Sequence, residues 1–152
     1  MTEPEPLTLV GIDLDEAPDV YRNSVCIAGT AAVQVKFIQG NSLQVTPEPR
    51  DMLFIDTFHV YGQLKRELAL HAATTKKFIV LHDTTVDSEV GEAVRNGWNI
   101  GRLAESTGIP EAEIGIGLWP AVLEFLDTNS DWRLLKRFTH NNGLTILERT
   151  LV

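Results

Sequence analysis

Three short apolar runs end in an acid: LTLVGID at Asp13, DMLFID at Asp56 and KKFIVLHD at Asp83. A fourth run, VQVKFIQ, ends in Gly40, Asn41 and Ser42. His59 follows Asp56 by three residues, His82 directly precedes Asp83, and Asp15 stands just beyond Asp13. Each of these residues alone is also explained as a cap or a solvated loop residue. Together they place acids, an amide, a hydroxyl and two imidazoles where strands end. An acid at the end of an early strand can accept hydrogen bonds from both ribose hydroxyls of a nucleotide-like cofactor. Asp13 is the first candidate for that role and Asp15 the second. Asn41 and Ser42 could read an adenine edge. Asp56 and Asp83 close two strands expected to be neighbours, so their carboxylates could hold a hard divalent ion such as Mg²⁺. His82 or His59 beside them would favour a softer metal or act as a general base.

The elements that must position these groups follow from the pattern. Residues 7–13, 33–39, 51–56 and 76–83 read as strands. Their nearly continuous or alternating apolar runs suit a sheet. A helix is expected near Ala17–Ala28, with Gly29 as its stop, and another over Tyr61–Thr74, with Leu64, Leu68 and Ala72 on one face. Ser88–Arg95 reads as a short helix capped by Asp87 or Ser88. Residues 96–117 carry five of the eleven glycines. They read as loop, open to use as a lid, with a short helix near Ile100–Ser106. Leu118–Thr128 reads as a helix with Pro120 in its first turn. Two final strand-like segments flank Asn141-Asn142-Gly143, a hairpin signal. Apolar strands alternating with helices predict a mainly parallel α/β sheet, with the terminal hairpin adding an antiparallel pair. Ligands of such sheets sit outside the carboxyl ends of the strands.

The chain has 152 residues, 13 Lys+Arg against 21 Asp+Glu, and a formal charge of −8. With 43% hydrophobic and 22% charged residues it has the make-up of a folded domain. Residues 1–6 read as a flexible lead and 7–152 as one domain. The acidic balance argues against a nucleic-acid or anionic-membrane partner. The lone Cys26 excludes an internal disulfide, and the polar start MTEPEPL has no secretory pattern. The expectation is a cytoplasmic protein.

IDTFHVYGQLKREL followed by KKFIVLHDT resembles the class I S-adenosylmethionine-dependent methyltransferases. The branch is the one with cephalosporin-hydroxylase-like and sugar O-methyltransferase-like proteins. GLWPAVLEFL and DWRLLKRFTHNNGLTILER extend the likeness towards residue 150. The resemblance implies a Rossmann-like sheet with helices on both faces and S-adenosylmethionine as cofactor. It places Asp13 (with Asp15) at the ribose, Asn41 and Ser42 at the adenine, and Asp56 beside the methionine part and the metal. It implies Asp83 and His82 as further metal-side residues, and His59 and His82 as substrate-facing, catalytic ones. The expected reaction is O-methylation of a small hydroxylated or sugar-like acceptor.

One family element has no counterpart here: the Gly-rich turn of E/D-x-G-x-G type after the first strand. The chain begins at the family's second strand, which predicts a homodimer through an exposed sheet edge, or a rearranged sheet. Two other readings stay open. One is a non-catalytic remnant acting as an oligomerising or interaction module. The other is a metal-dependent hydrolase or hydroxylase using His82, Asp83 and Asp56. The last is weakened because adjacent residues at a strand end are expected to point apart.

Overall fold

The computed structural model describes residues 7–15 and 33–150. The expected lead and the expected helix at Ala17–Ala28, with Cys26, lie outside the described residues. The chain forms two compact units, Met1–Thr46 and Pro47–Val152. Among the described residues, no helix is long and apolar enough to cross a membrane.

In the first unit β1 (Leu7–Asp13) pairs in parallel with β2 (Val33–Gln39), Leu7 opposite Val33 and Asp13 opposite Gln39. The Gly40 N–H donates to the Asp13 carbonyl at 2.7 Å, so the two strands end together.

The second unit carries a four-stranded sheet in the order β3-β4-β6-β5. β3 (Arg50–Ile55) runs parallel to β4 (Thr75–His82). β6 (Leu144–Arg149) is antiparallel both to β4 and to β5 (Trp132–Phe138). The last strand therefore inserts between its own hairpin partner and the parallel pair. Both α/β expectations hold here: parallel strands joined through helices, and an antiparallel C-terminal pair.

Period-2 alternation decides which side of this sheet is covered. Ile55, Ile79, Leu81 and Leu147 point to one face and are buried. Against that face pack α1 (Tyr61–His71), with Leu64 and Leu68, and α5 (Leu118–Thr128), with Leu118, Ala121, Val122 and Phe125. A 3₁₀ turn, Ala72–Thr74, links α1 to β4 and buries Ala72. The expected Leu64–Leu68–Ala72 stripe is thus the helix's core face. Met52 and Phe54, of opposite parity, are exposed by 57% and 52%, so β3 shows an apolar side to solvent.

Residues 84–117 depart most from expectation. The helix expected at Ser88–Arg95 shrinks to α2 (Glu92–Arg95), capped by Gly91 rather than by Asp87 or Ser88. Asp87 is fully buried and its carboxylate is turned to Arg95 instead, at 2.6 and 3.0 Å. The glycine-bearing stretch is not an open loop. It contains the short helix expected near Ile100–Ser106, as α3 (Ile100–Thr107) capped by Asn99, and a further helix, α4 (Glu111–Ile114), and Ile109 and Ile114 bury a second small core with Val60 and Ala93.

The Asn-Asn-Gly hairpin turn is present, with φ of 50° at Asn141, 66° at Asn142 and 101° at Gly143. A Cβ on Gly143 would fall 2.4 Å from Thr85 Oγ1, so glycine is required both by its φ and by the space. The Asn142 carbonyl accepts the N–H of Thr85 and of Val86, both at 2.9 Å. The turn is thereby fastened to the loop that follows β4.

Leu147, fully buried at the centre of the sheet, is the test of this core. Leu147→Ala is expected to cost about 2–5 kcal/mol of stability, read as a lower urea midpoint with an unchanged m-value.

Candidate functional site

Parallel pairing of β3 and β4 sets Ile55 opposite Leu81, so the residues that follow both strands emerge at one edge. Asp56 leaves β3 there, and the loop to α1 brings His59 back over the edge. Asp83 leaves β4 with φ of 56°, in the left-handed region that few side chains adopt. That twist overturns the expectation that His82 and Asp83 point apart: His82 Nδ1 lies 3.1 Å from Asp83 Oδ1 and 3.8 Å from Asp56 Oδ2.

His59 is the hub. Its Nε2 lies 3.0 Å from Asp56 Oδ1. Its Nδ1 lies 3.2 Å from Asp83, 3.3 Å from Asp87 and 3.5 Å from Glu92. Its backbone N–H donates to Glu92 Oε1 at 2.9 Å, and the Glu92 N–H donates back to the His59 carbonyl at 3.0 Å. The side chain is only 13% exposed. Four carboxylates thus face three basic groups, His59, His82 and Arg95, and the surplus is negative.

Burial is the largest single influence on the His59 imidazole and disfavours its charged form. It is outweighed by the hydrogen bonds of Glu92 and Asp56 and by the charges of Glu92 and Asp83, which together lift the pKa to about 9. For Glu92 burial again comes first and pushes upward, but the His59 bonds and the Arg95 charge hold its carboxyl below the usual range. At neutral pH His59 is therefore an imidazolium that binds the carboxylates together.

The contacts at Nδ1 are close but poorly directed. His59 Nδ1, His82 Nδ1 and Asp83 Oδ1 are buried without a well-formed hydrogen bond. Among the described residues, two sets of donor atoms each lie close enough together to hold one cation: Asp56–His59–Asp83 and His59–Asp87–Glu92. Nitrogen with carboxylate oxygen suits Mn²⁺, Fe²⁺ or Zn²⁺ as well as Mg²⁺. The expected group of Asp56, His82 and Asp83 is assembled at one edge, but His59 is the histidine common to both sets.

Sequence reading missed Asp87, Glu92 and Arg95. Their one sequence signal is the spacing of Asp83 and Asp87, with Glu92 and Arg95 on one turn of α2. In the N-terminal unit, Asp13 and Asn41 lie at one end of the β1–β2 pair. Asp13 accepts the Asp15 N–H at 3.1 Å, and Asn41 Oδ1 accepts the Leu43 N–H at 2.9 Å. Ser42 follows in the same turn, and Asp13 and Asp15 are exposed.

The raised His59 value fixes a sign. In chelator-treated protein the stability contributed by His59 is complete below 6.5 and is lost as pH rises through about 9. Urea midpoints of the native protein should therefore fall across that window, and those of His59→Gln should not. A native profile as flat as the variant's would contradict the charge assignment.

No protein-family model matches the chain, and no curated protein matches it. Solved structures do. The magnesium protoporphyrin IX methyltransferase of Synechocystis PCC 6803, with bound S-adenosylhomocysteine, matches with a TM-score of 0.58 at 10% identity. That match covers 93% of this chain and 63% of the other, so the chain spans under two thirds of that enzyme. An O-methyltransferase family 2 protein from Planctomyces limnophilus, in complex with apigenin, matches with a TM-score of 0.56 at 12% identity, over 93% of this chain and 43% of the other. A methyltransferase from Geobacter sulfurreducens gives 0.50 at 18% identity, over 93% and 58%. The strands, their parallel and antiparallel pairings and these likenesses agree on one architecture: the chain has the Rossmann-like fold of the class I methyltransferases.

Proposed function

We propose that the chain is an S-adenosylmethionine-dependent methyltransferase that acts, with help from a divalent ion, on the hydroxyl of a small hydroxylated or sugar-like acceptor. The observation that carries this reading is the Asp56–His59–Asp83 group at the carboxyl edge of a sheet with this fold. Relatives in fold contain S-adenosylhomocysteine, which supports the same cofactor here.

The cofactor, when bound, supplies an electrophilic methyl group on a sulfonium. A divalent ion, when bound, supplies Lewis acidity that eases ionisation of a hydroxyl. The chain's own residues do the rest. Asp13, with Asp15 as second acid, holds the ribose hydroxyls. Asn41 offers its amide and Ser42 its hydroxyl to the adenine edge. Asp56, Asp83 and His59, the last as a neutral imidazole that gives up its proton on binding, would hold the ion, whose charge offsets the carboxylate surplus. The orphaned His59 Nδ1 is a donor it would engage. His82 takes the proton of the acceptor hydroxyl, and Asp83 at 3.1 Å stabilises the imidazolium that forms.

One observation favours a second reading, an oligomerising module. Among the described residues β3 is an edge strand of the four-stranded sheet, and its Met52 and Phe54 are exposed. A strand edge of that kind pairs readily with another copy.

Calorimetric titration with S-adenosylhomocysteine, with and without Mn²⁺, decides between them. The expected result is micromolar binding that Asp13→Ala weakens by about tenfold or more. In separate Mn²⁺ titrations, Asp83→Asn should weaken metal binding by about tenfold or more. A protein that sediments as a dimer and gives no heat with the cofactor product supports the module instead.

A further inference from the structure

α1 buries a polar row beside its apolar one. Gln63, Glu67 and His71 follow each other at four-residue spacing, so they share a helix face, and all three are buried. Leu64 and Leu68, the next row, cover the sheet. Glu67 is 1% exposed. Thr57 Oγ1 donates to its Oε2 at 2.9 Å, and Gln63 Nε2 donates to its Oε1 at 2.9 Å. A buried carboxyl group is costly unless its oxygens are hydrogen-bonded, and here both are.

Thr57 lies between Asp56 and His59, in the loop from β3 to α1. Packing fixes that loop at its two ends. Ile55, the last residue of β3, is buried in the main core, and Val60 is buried in the second small core. Between those ends the loop borders a void. A cavity of ≈ 10 Å³ is lined by Thr57, Phe58, His59 and His82 on the side of the site, and by Leu64 and Leu81 on the side of the core. That is room for one water molecule at most. It is also room into which the loop can settle, since close packing is what resists such shifts elsewhere.

The hydrogen bond to Glu67 replaces the missing packing. It ties Thr57 to the second turn of α1, an element that Leu64 and Leu68 seat on the sheet. Gln63, one turn earlier on the same face, sets the orientation of the Glu67 carboxyl group. The geometry that depends on this tie is narrow. His59 presents Nε2 to Asp56 at 3.0 Å and Nδ1 to Asp83 at 3.2 Å, while its N–H stays on Glu92 at 2.9 Å. Asp56 precedes Thr57 and His59 follows it by two, so a shift of Thr57 moves both.

We infer that the buried Glu67 is a positioning residue: through Thr57 it fixes the loop that sets Asp56 and His59 beside Asp83. The inference rests on the divalent-ion reading for its effect on metal, and adds a residue that belongs to neither donor set.

The test uses full-chain variants of Thr57, which change no charge. Thr57→Val removes the hydroxyl and keeps the branched shape; Thr57→Ser keeps the hydroxyl. In Mn²⁺ calorimetry Thr57→Val should bind about fivefold more weakly than the native chain, and Thr57→Ser within about twofold of it. Ile79→Val, which weakens the core away from the loop, should leave Mn²⁺ affinity unchanged. Glu67→Ala should weaken binding at least as much as Thr57→Val, and adding Thr57→Val to it should weaken binding no further, because the two residues act through one bond. Hydrogen exchange gives a readout without metal. Protection of the His59 N–H should fall about fivefold in Thr57→Val and stay unchanged in Ile79→Val. Native Mn²⁺ affinity and native His59 protection in Thr57→Val, equal losses in Ile79→Val, or an undiminished Thr57→Val loss in the Glu67→Ala background overturns the positioning role. A native chain that takes up no Mn²⁺, with His59 protection lost in Thr57→Val alone, removes the divalent ion and keeps the anchor. Mn²⁺ uptake that Thr57→Val leaves unchanged removes the anchor and keeps the ion.

Discussion

Four carboxylates cannot gather around one strand edge without a counter-charge. Two like charges 4 Å apart repel by about 4 kcal/mol at an effective dielectric constant near 20. Asp56, Asp83, Asp87 and Glu92 come together because the His59 imidazole lies among them and Arg95 clasps Asp87 from behind. Three segments distant in sequence depend on that charge balance: the loop after β3, the loop after β4 and α2. The reciprocal backbone bonds of His59 and Glu92 give it a fixed geometry. A proton on His59 offsets the cluster only partly, since His59 Nδ1 and Asp83 Oδ1 keep no well-formed hydrogen bond.

The sheet supplies the stage on which that balance operates. Parallel pairing of β3 and β4 aims both strand ends the same way, and the buried Ile55, Ile79, Leu81 and Leu147 hold the pairing against α1 and α5. Insertion of β6 between β4 and β5 then carries the hairpin turn to the same edge. The catalytic candidates and the hairpin turn are neighbours for that reason. His82 stands next to both because it ends β4, the strand between the parallel and antiparallel halves.

Much of this was legible in the residues. The helix Leu118–Thr128 and the turn at Asn141-Asn142-Gly143 are where the pattern puts them, since local propensity and packing agree there. Asp56 and Asp83 could be foreseen as neighbours because buried strands joined by one helix usually pair. Asp87 was misread as a cap because nothing local distinguishes an acid facing a helix N-terminus from one facing an arginine. Its choice is made by Arg95 and His59, eight residues downstream and twenty-eight upstream. In the stretch 96–117 the short helix near Ile100–Ser106 is legible and is found as α3, whereas α4, four residues long and followed by Gly115, is not. The order of the stretch comes from Ile109 and Ile114 finding Val60 and Ala93.

The sequence by itself determined the α/β class, the strand ends where polar groups collect, and the residue types available for chemistry. Those properties follow from period, turn chemistry and composition, which act over a few residues. Only the tertiary structure decided that His59 is the hub, and that Asp83 adopts a left-handed turn and meets His82. These outcomes rest on contacts between segments up to about sixty residues apart, such as the Asn142 carbonyl on Thr85 and Val86. Charge balance and cross-strand register act through space, and no local pattern encodes them.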